Sequence, residues 1–391
     1  MKYSIAIIGG GIIGSSAAYF LARAGNDLSV AVIEKDSSYS NATTSKGAGG
    51  VRQQFSVEEN IAQSTFSLDF YKNWKAHMAD VPDLPNLKFR EQGYLLVVTA
   101  EGENTLLRNE ALQRSMGVKT ILMNREQLGR KFPSIDRDDI VQSVYTPNDG
   151  WIDPNAGRWG FRRAAEHHGA VYINGRATEI DSTKTKVMGV TLEDNRKIEA
   201  DYIINCAGPW VNDIAKMTGT ALPIAPMCRL QHFWECSQDF EDLPLVKDES
   251  GMFFRPEGSG FAGGRPSFDI EPGFVEDIES GFFANYFEDT VSPMLTALVP
   301  KFEDLRLERT WAGHYAQNLL DGNVIIGTYS EGHDNLLTAC GFSGHGVMHA
   351  PAVGRALSEL VLNGGYQTID LTRFSYDRVK RNEPLREMGI K

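Results

Sequence analysis

Clusters of lysine and arginine are missing from this 391-residue chain, in which 51 acidic residues outnumber 39 basic ones for a formal net charge of -12. A surface of that sign repels a phosphate backbone, so no nucleic-acid partner is expected. Cysteine is scarce, and Cys206, Cys228, Cys236 and Cys340 show neither CxxC nor metal-type spacing. They read as reduced, mostly buried thiols, so no disulfide framework and no metal centre are expected and a cytoplasmic setting is. No apolar run reaches the ~18 residues of a membrane span, so no transmembrane segment is expected. The apolar start after Lys2 is interrupted by Gly9, Gly10, Gly11 and Gly14, and reads as strand, turn and helix rather than a secretory leader. Internal repeats and low-complexity tracts are also absent. With 42% apolar and 23% charged residues, the composition is that of a globular chain long enough for one large two-part domain or two ordinary ones.

Tyr3 to Ile8 is a short apolar run, Ile12 to Ala24 is rich in helix formers with Gly25 as a stop, and Leu28 to Ile33 is a second strand-like run ending at Glu34. The change of period from strand to helix to strand predicts a parallel βαβ unit. Inside it, Gly9-Gly10-Gly11-Ile12-Ile13-Gly14 has the G-x-G-x-x-G spacing, with Glu34 twenty residues beyond Gly14. Gly9 permits the tight turn, Gly11 lets backbone approach a pyrophosphate at the positive helix end, and Gly14 lets helix and strand touch. Glu34, followed by Lys35, can accept hydrogen bonds from an adenosine ribose. The motif predicts a dinucleotide site, and by itself leaves NAD and FAD open.

Further strand-to-turn signals lie at Asp201–Trp210 and at Asn335–Gly346, the latter leading into a helix to about Leu362. Between them, Met227 to Phe233, Gly251 to Phe254 and Asn285 to Glu288 are β-rich and aromatic, which predicts a separate antiparallel sheet. Nucleotide signals at the start, middle and end of the chain require a discontinuous domain with that sheet inserted.

Six segments narrow the choice: Thr43–Phe55, Asp153-Pro154, Asn205-Cys-Ala-Gly-Pro-Trp210, Phe253-Phe-Arg-Pro256, Trp311–Tyr315 with Asp321-Gly-Asn323, and Gly341-Phe-Ser-Gly-His-Gly346. Through them the chain resembles, over nearly its whole length, the sarcosine oxidase and glycine oxidase-like branch of the D-amino-acid oxidase superfamily. The resemblance implies FAD, with Ser45, Lys46, Gly49, Gly50 and Arg52 near it and Arg52 close to the ring; a surface arginine beside Glu58 or Glu59 is the bland alternative. It implies that Glu179 matches a position whose backbone holds the adenine, and that Ala207, Gly208 and Trp210 form a turn passing the cofactor. Gly344, His345, Gly346, Val347 and Met348 open a helix with Pro351 expected in its first turn, so free backbone N–H groups and the positive helix end face the flavin. His345 itself reads equally well as a packed turn residue.

Departures from the family matter as much. The positions that carry a covalent flavin link in relatives match Gly313 and Lys46, so FAD is expected to be bound without a covalent bond. A carboxylate-binding lysine is replaced by Met348 and an arginine by Phe55. Arg255, or Arg265 on its neighbour, is the expected substitute, since the guanidinium fork matches a carboxylate; pairing of Arg255 with Glu257 or Asp248 is the alternative. His314 and Tyr315 fall near the substrate pocket or in the core. Ala262 takes the place of a lysine that oxidases set over the flavin, which favours a dehydrogenase unless Arg255 or Arg265 supplies the charge.

The expected architecture is α/β: a glutathione-reductase-like FAD-binding domain with a Rossmann-type parallel sheet (1–88, 146–218 and 313–391) and an inserted antiparallel β-sheet substrate domain (89–145 and 219–312). The expected reaction is oxidation of a C–N bond in an amine or amino acid, with Arg52, Arg255, His314 and Tyr315 at the substrate and with O2 or a redox partner taking the electrons. A NAD-dependent dehydrogenase would leave the Gly341–Gly346 turn unexplained. A non-catalytic flavoprotein is the other alternative, because the Gly50–Phe55 segment resembles that of a mitochondrial complex I assembly factor with this fold. A tRNA-modifying relative is disfavoured by the acidic balance.

Overall fold

The computed structural model describes every residue except 26–27, 268, 279–280 and 390–391. In its first sheet, Lys2–Ile8 lies parallel to Val30–Glu34 on one side and to Lys197–Asn205 on the other. Val171–Asn174 continues the sheet past Val30–Glu34, while Leu336–Cys340 and Ile325–Thr328 continue it past Lys197–Asn205. Strands from three distant parts of the chain thus make one sheet. The alternation along Lys2–Ile8 shows why it is central: Ile5 and Ile7 join a core with Ala17, Ala18 and Leu21 of the helix Ile12–Arg23, whereas Ala6 and Ile8 join a second core with Ile180, Val190 and Ile214. A strand apolar on both faces must be covered on both.

Among the described residues the second sheet has eight strands, in the order Arg306–Asn318, Ile224–Glu235, Gly260–Gly264, Phe253–Glu257, Leu245–Asp248, Tyr94–Val98, Gln142–Thr146 and Ile121–Asn124. All neighbours are antiparallel except Leu245–Asp248 with Tyr94–Val98, which run parallel. Leu95, Val97, Val246, Phe254 and Trp234 face an aromatic core closed by Phe302, and the opposite face turns toward the first sheet's ligand side. Two sequence expectations shift. Arg306–Asn318 continues as one strand past residue 312, because its pairing with Ile224–Glu235 is unbroken to Asn318 opposite Ile224. Asn285 to Glu288 is not a strand but enters the helical turn Phe287–Val291; Phe283, Tyr286 and Phe287 are spaced at helical intervals and bury together in the aromatic core.

The turn from Asn318 to Asn323 is bolted from behind. Arg378, buried, bonds Asp321 at 2.8 Å and donates to the carbonyls of Asn323, Val324 and Phe374. This pair is charge-assisted and satisfied on both sides, the condition under which a buried ion pair is tolerated.

The closing helix, Gly346–Asn363, carries Pro351 in its second turn rather than its first. Proline has no N–H for the Val347 carbonyl four residues earlier. The Tyr71 hydroxyl donates to that carbonyl instead, at 2.7 Å, from the helix Glu58–Lys72. Tyr71→Phe is therefore expected to cost about 1–3 kcal/mol by leaving a carbonyl unsatisfied. Denaturant melts of the two proteins check it, and an unchanged midpoint would show that the tyrosine hydroxyl does not support the proline turn.

Candidate functional site

At the glycine turn, two of the three motif glycines are demanded by the protein itself. Gly9 has φ +101°, and a Cβ there would lie 2.4 Å from the Cys206 carbonyl; a Cβ on Gly14 would lie 1.9 Å from the Gly9 carbonyl. Gly11 is different: its nearest atom would be Thr44 Oγ1 at 3.7 Å, and the space faces an open cavity. Protein packing does not require glycine at 11, but close approach of a bulky anion does. Gly11 is the N-cap of Ile12–Arg23 with no side-chain cap, and Thr44 Oγ1 accepts only the Ile12 N–H, at 3.3 Å. The helix end is left to polarise whatever occupies the space.

The cavity has a volume of about 1050 Å³ and runs from Glu34 past this helix end to the start of the closing helix. Its wall includes Gly9, Gly11, Ile12, Ile13, Glu34, Lys35, Gly49, Gly50, Arg52, Ala207, Gly208, Trp210, Tyr315, Gly344, His345, Gly346, Val347 and Met348. Glu34 receives the N–H groups of Gly10 at 2.8 Å and Asp36 at 2.9 Å, which fix its carboxylate at the strand end. The Lys35 ammonium sits 3.4 Å from the centre of the Trp210 ring. At the far end, His345 is the N-cap of the closing helix and no side chain caps it. An elongated cavity with one helix N-terminus at each end suits a dinucleotide: the first meets a pyrophosphate, the second an electron-rich ring. The Cys206 thiol beside the turn is pushed up to about 12 by burial, with Cys340 adding to the effect, so it is not a nucleophile.

Several expected site residues stand elsewhere. Gly14 lies behind the wall, where it lets helix and strand touch. In the one-turn helix Thr43–Lys46, Thr43 and Thr44 face the cavity while Ser45 and Lys46 do not. The Lys46 carbonyl accepts from Trp311 Nε1 at 3.2 Å, and a Cβ on Gly313 would lie 2.6 Å from that of Lys46. Glu179 is exposed; the cavity passes this region at Gly175, Arg176 and Ala177, one pleat earlier. Arg255 is not on the wall. It donates to the Ala48 carbonyl at 3.0 Å, pairs with Glu257 and lies 5.5 Å from the Trp151 ring centre, so it closes the sheet. His314 also leaves the site, because successive strand residues point to opposite faces and Tyr315 takes the cavity side. Its Nε2 accepts the Val275 N–H at 2.9 Å beside the Phe274 ring, and burial lowers its pKa, which keeps the acceptor neutral. It fastens the 270s segment.

What sequence reasoning missed is the cation supply of the second sheet. Met227, Arg229 and Gln231 alternate onto the cavity face, as do Leu245, Lys247 and Glu249, while Val246 and Asp248 turn away. Arg229 is buried, donates to the Ser267 carbonyl at 2.7 Å and to Cys228 at 3.0 Å, and lies 5.5 Å from the Tyr315 ring centre. Arg52 is buried, donates to the Gln54 carbonyl at 3.0 Å and stacks 4.6 Å from the Phe55 ring centre, which in turn meets His345 edge-on. Burial first, then Arg52 and Arg229 against the opposing Asp248, push the Lys247 ammonium down to about 7. Burial pushes the Tyr94 hydroxyl up to about 12 and raises Tyr315 as well, so both stay protonated donors. A cation inside or directly after a short apolar strand run, as in Cys228-Arg-Leu230 and Leu245-Val-Lys247, is the sequence signal that would have found them. Lys247 also brings to the cavity a cation that neither Ala262, Arg255 nor Arg265 provides.

Known proteins agree with this geometry. The FAD dependent oxidoreductase family (DAO) matches residues 4–360. The chain is 35% identical to "FAD-dependent oxidoreductase domain-containing protein 1" of Xenopus laevis, over all of this chain and 85% of that protein. It is 26% identical to the 4-methylaminobutanoate oxidase (formaldehyde-forming) of Paenarthrobacter nicotinovorans, over 96% of this chain and 46% of that longer one. Among solved structures, the L-proline dehydrogenase of P. horikoshii superimposes with a TM-score of 0.86 at 28% identity, covering 98% of this chain and 99% of that one. With its glycine turn, its Glu34 carboxylate and its second helix end in one cavity, the chain belongs to the DAO family of FAD-dependent oxidoreductases.

Proposed function

We propose that the protein oxidises the carbon–nitrogen bond of an amino acid, primary or N-substituted, to an imine that water then hydrolyses. The observation that carries this reading is the chamber at the far end of the cavity, where Arg229 and Tyr315 of the second sheet face the N-terminus of the closing helix. The first side chains can hold a substrate carboxylate, and the helix end favours negative charge opposite it. FAD supplies the hydride acceptor. The chain's own work is orientation and electrostatics: Arg229 and Tyr315 fix the acid end, Tyr94 and Met348 wall the chamber, and Arg52 adds positive charge beside the ring-binding turn. Two relatives support the class, since proline and 4-methylaminobutanoate are both secondary amines bearing a carboxylate.

Anaerobic mixing of the purified protein with amino acids and N-methyl amino acids is expected to bleach the flavin band for at least one of them, and not for the matching amine without its carboxylate. Bleaching by the decarboxylated amine equally well would remove the role given to Arg229. Arg229→Lys is expected to lower kcat/KM by roughly 30-fold or more, the effect of disturbing a buried charge pair worth about 2–5 kcal/mol.

The cofactor is proposed to be held without a covalent bond, because Gly313 and Lys46, which stand where relatives attach it, offer neither thiol nor imidazole. Acid denaturation is expected to release all the yellow colour into the supernatant, and colour left in the pellet would contradict this. Glu34→Ala is expected to weaken FAD binding roughly 10- to 100-fold, through about 1–3 kcal/mol of lost hydrogen bonds to the ribose and to the Gly10 turn. Titration of apoprotein with FAD measures it.

A further inference from the structure

We propose that Asp149, a carboxylic acid behind the cavity wall, is a positioning residue for the flavin: it grips the segment that carries Arg52 and Phe55, and its charge sets the field that Arg52 brings to the cavity. The proposal rests on the FAD site and not on the choice of substrate. Past Gly50–Val51 the chain runs through Arg52, Gln53, Gln54 and Phe55 without helix or strand, yet these residues are buried. Buried backbone outside regular structure must find its hydrogen bonds in side chains. Here they come from distant elements. Asp149 Oδ2 accepts the Gln53 N–H at 3.0 Å, and Gln113 donates to the Phe55 carbonyl at 2.9 Å. The Glu387 carboxylate accepts the N–H groups of Ser56 at 2.6 Å and Val57 at 3.2 Å. The side chains of Gln53 and Gln54 reach Thr65 and the Val144 carbonyl. What this clamp presents is functional: Arg52 lies on the cavity wall, and Phe55 meets His345 at the start of the closing helix.

The two carboxylates of the clamp differ. Both oxygens of Glu387 have donors, from Ser56, Val57 and Asn60. Asp149 is fully buried; its Oδ2 takes the Gln53 N–H and the Thr146 hydroxyl, whereas Oδ1 has no hydrogen-bond partner among the described residues. A bare oxygen in the interior costs most when the group is charged, so Asp149 is the member placed to take a proton. Burial pushes its carboxyl up to about 7, against the Thr146 hydroxyl, the Gln53 N–H, Arg52 and Lys72, which favour the ionised form. The helix Glu58–Lys72 brings Lys72, which pairs with Glu91, and the strands Tyr94–Val98 and Gln142–Thr146 bring Tyr94 and Tyr145, phenols that burial keeps protonated. Of these groups Arg52 is the charged one on the cavity wall. Asp149 is also held in place: its carbonyl accepts the Gly93 N–H at 2.9 Å, and a Cβ on Gly150 beside it would lie 1.8 Å from the Arg90 carbonyl. Protonation therefore changes its charge rather than its position. Ionised, it offsets part of the field of Arg52; protonated, it leaves that field whole, which favours an electron-rich ring in the cavity.

The test uses FAD-loaded protein and the midpoint potential of its flavin, followed by dye-coupled reduction from about pH 5 to about pH 9 with no substrate present. Asp149→Asn keeps an oxygen for the Gln53 N–H and the Thr146 hydroxyl but cannot ionise, whereas Asp149→Ala offers no acceptor. At the alkaline end the reduction equilibrium of the asparagine variant is expected to lie roughly threefold or more further toward reduced flavin than that of the wild type. As pH falls through the neutral range and the wild-type carboxyl takes up its proton, the gap is expected to close. In titrations of apoprotein with FAD, Asp149→Asn is expected to bind within about threefold of wild type and Asp149→Ala roughly tenfold or more weakly, the mark of lost grip rather than lost charge. Coincident potentials of wild type and asparagine variant at every pH would overturn the proposal, as would equal FAD affinity in all three proteins; if the alanine variant does not fold, the potentials decide alone. Since no substrate enters either measurement, such a failure leaves the amine-oxidation reading standing.

Discussion

Backbone contact between the glycine turn and Cys206 sets the terms for the rest of the molecule. Gly9 can lie against the Cys206 carbonyl only because it lacks a Cβ, and Gly14 against Gly9 for the same reason. Those two contacts draw the helix Ile12–Arg23 down onto the ends of Lys2–Ile8 and Lys197–Asn205, so its uncapped N-terminus opens directly into the cavity. The crevice at the carboxyl ends of parallel strands is where such a fold binds ligands. The ligand face of the second sheet must then turn to that crevice, and Met227, Arg229 and Gln231 of Ile224–Glu235 do.

The second helix end needs its own support. Proline in the second turn of Gly346–Asn363 removes one internal bond, and Tyr71 replaces it from a neighbouring helix. Phe55 packs against His345 and His349, and the imidazole of His349 is held neutral by burial, pushed down to about 3, while sharing a hydrogen bond with Ser64. A neutral histidine in the first turn adds no charge to the positive helix end, leaving the field there to the backbone and to Arg52.

The parts of this arrangement legible in the sequence are those whose geometry is local. Gly9, Gly11 and Gly14 with Glu34 are read from spacing alone, because one turn, one helix start and one strand end fix all four. The doubly covered sheet follows from Lys2–Ile8 being apolar at every position from Ile5 to Ile8. Side-chain direction on the second sheet was not legible, since it depends on register with strands far away in the sequence. His314 and Tyr315 are neighbours with opposite fates, and a single-residue slip would exchange them. Arg255 and Lys247 share a sheet face, yet Arg255 is drawn aside by the Ala48 carbonyl and Glu257, partners that no spacing rule brings together. Glu179 missed by one pleat for the same reason, and Pro351 by one turn because Tyr71 was not visible as its rescuer.

The same register dependence explains why a shared glycine turn says so little about the substrate. Residues that meet the dinucleotide belong to strand ends and helix starts, where backbone groups do the binding and side chains can vary. Residues that meet the substrate are side chains on the face of a sheet, where moving a cation from the closing helix to Leu245–Asp248 keeps the chamber's charge while changing its position. Met348 and Lys247 illustrate this: the start of the closing helix carries no side-chain charge at 348, and the strand Leu245–Asp248 presents an amine to the same cavity. On the amine-oxidation reading proposed above, the substrate's anionic part meets the sheet rather than the helix end, and that contact sets the orientation in which the amine-bearing carbon enters.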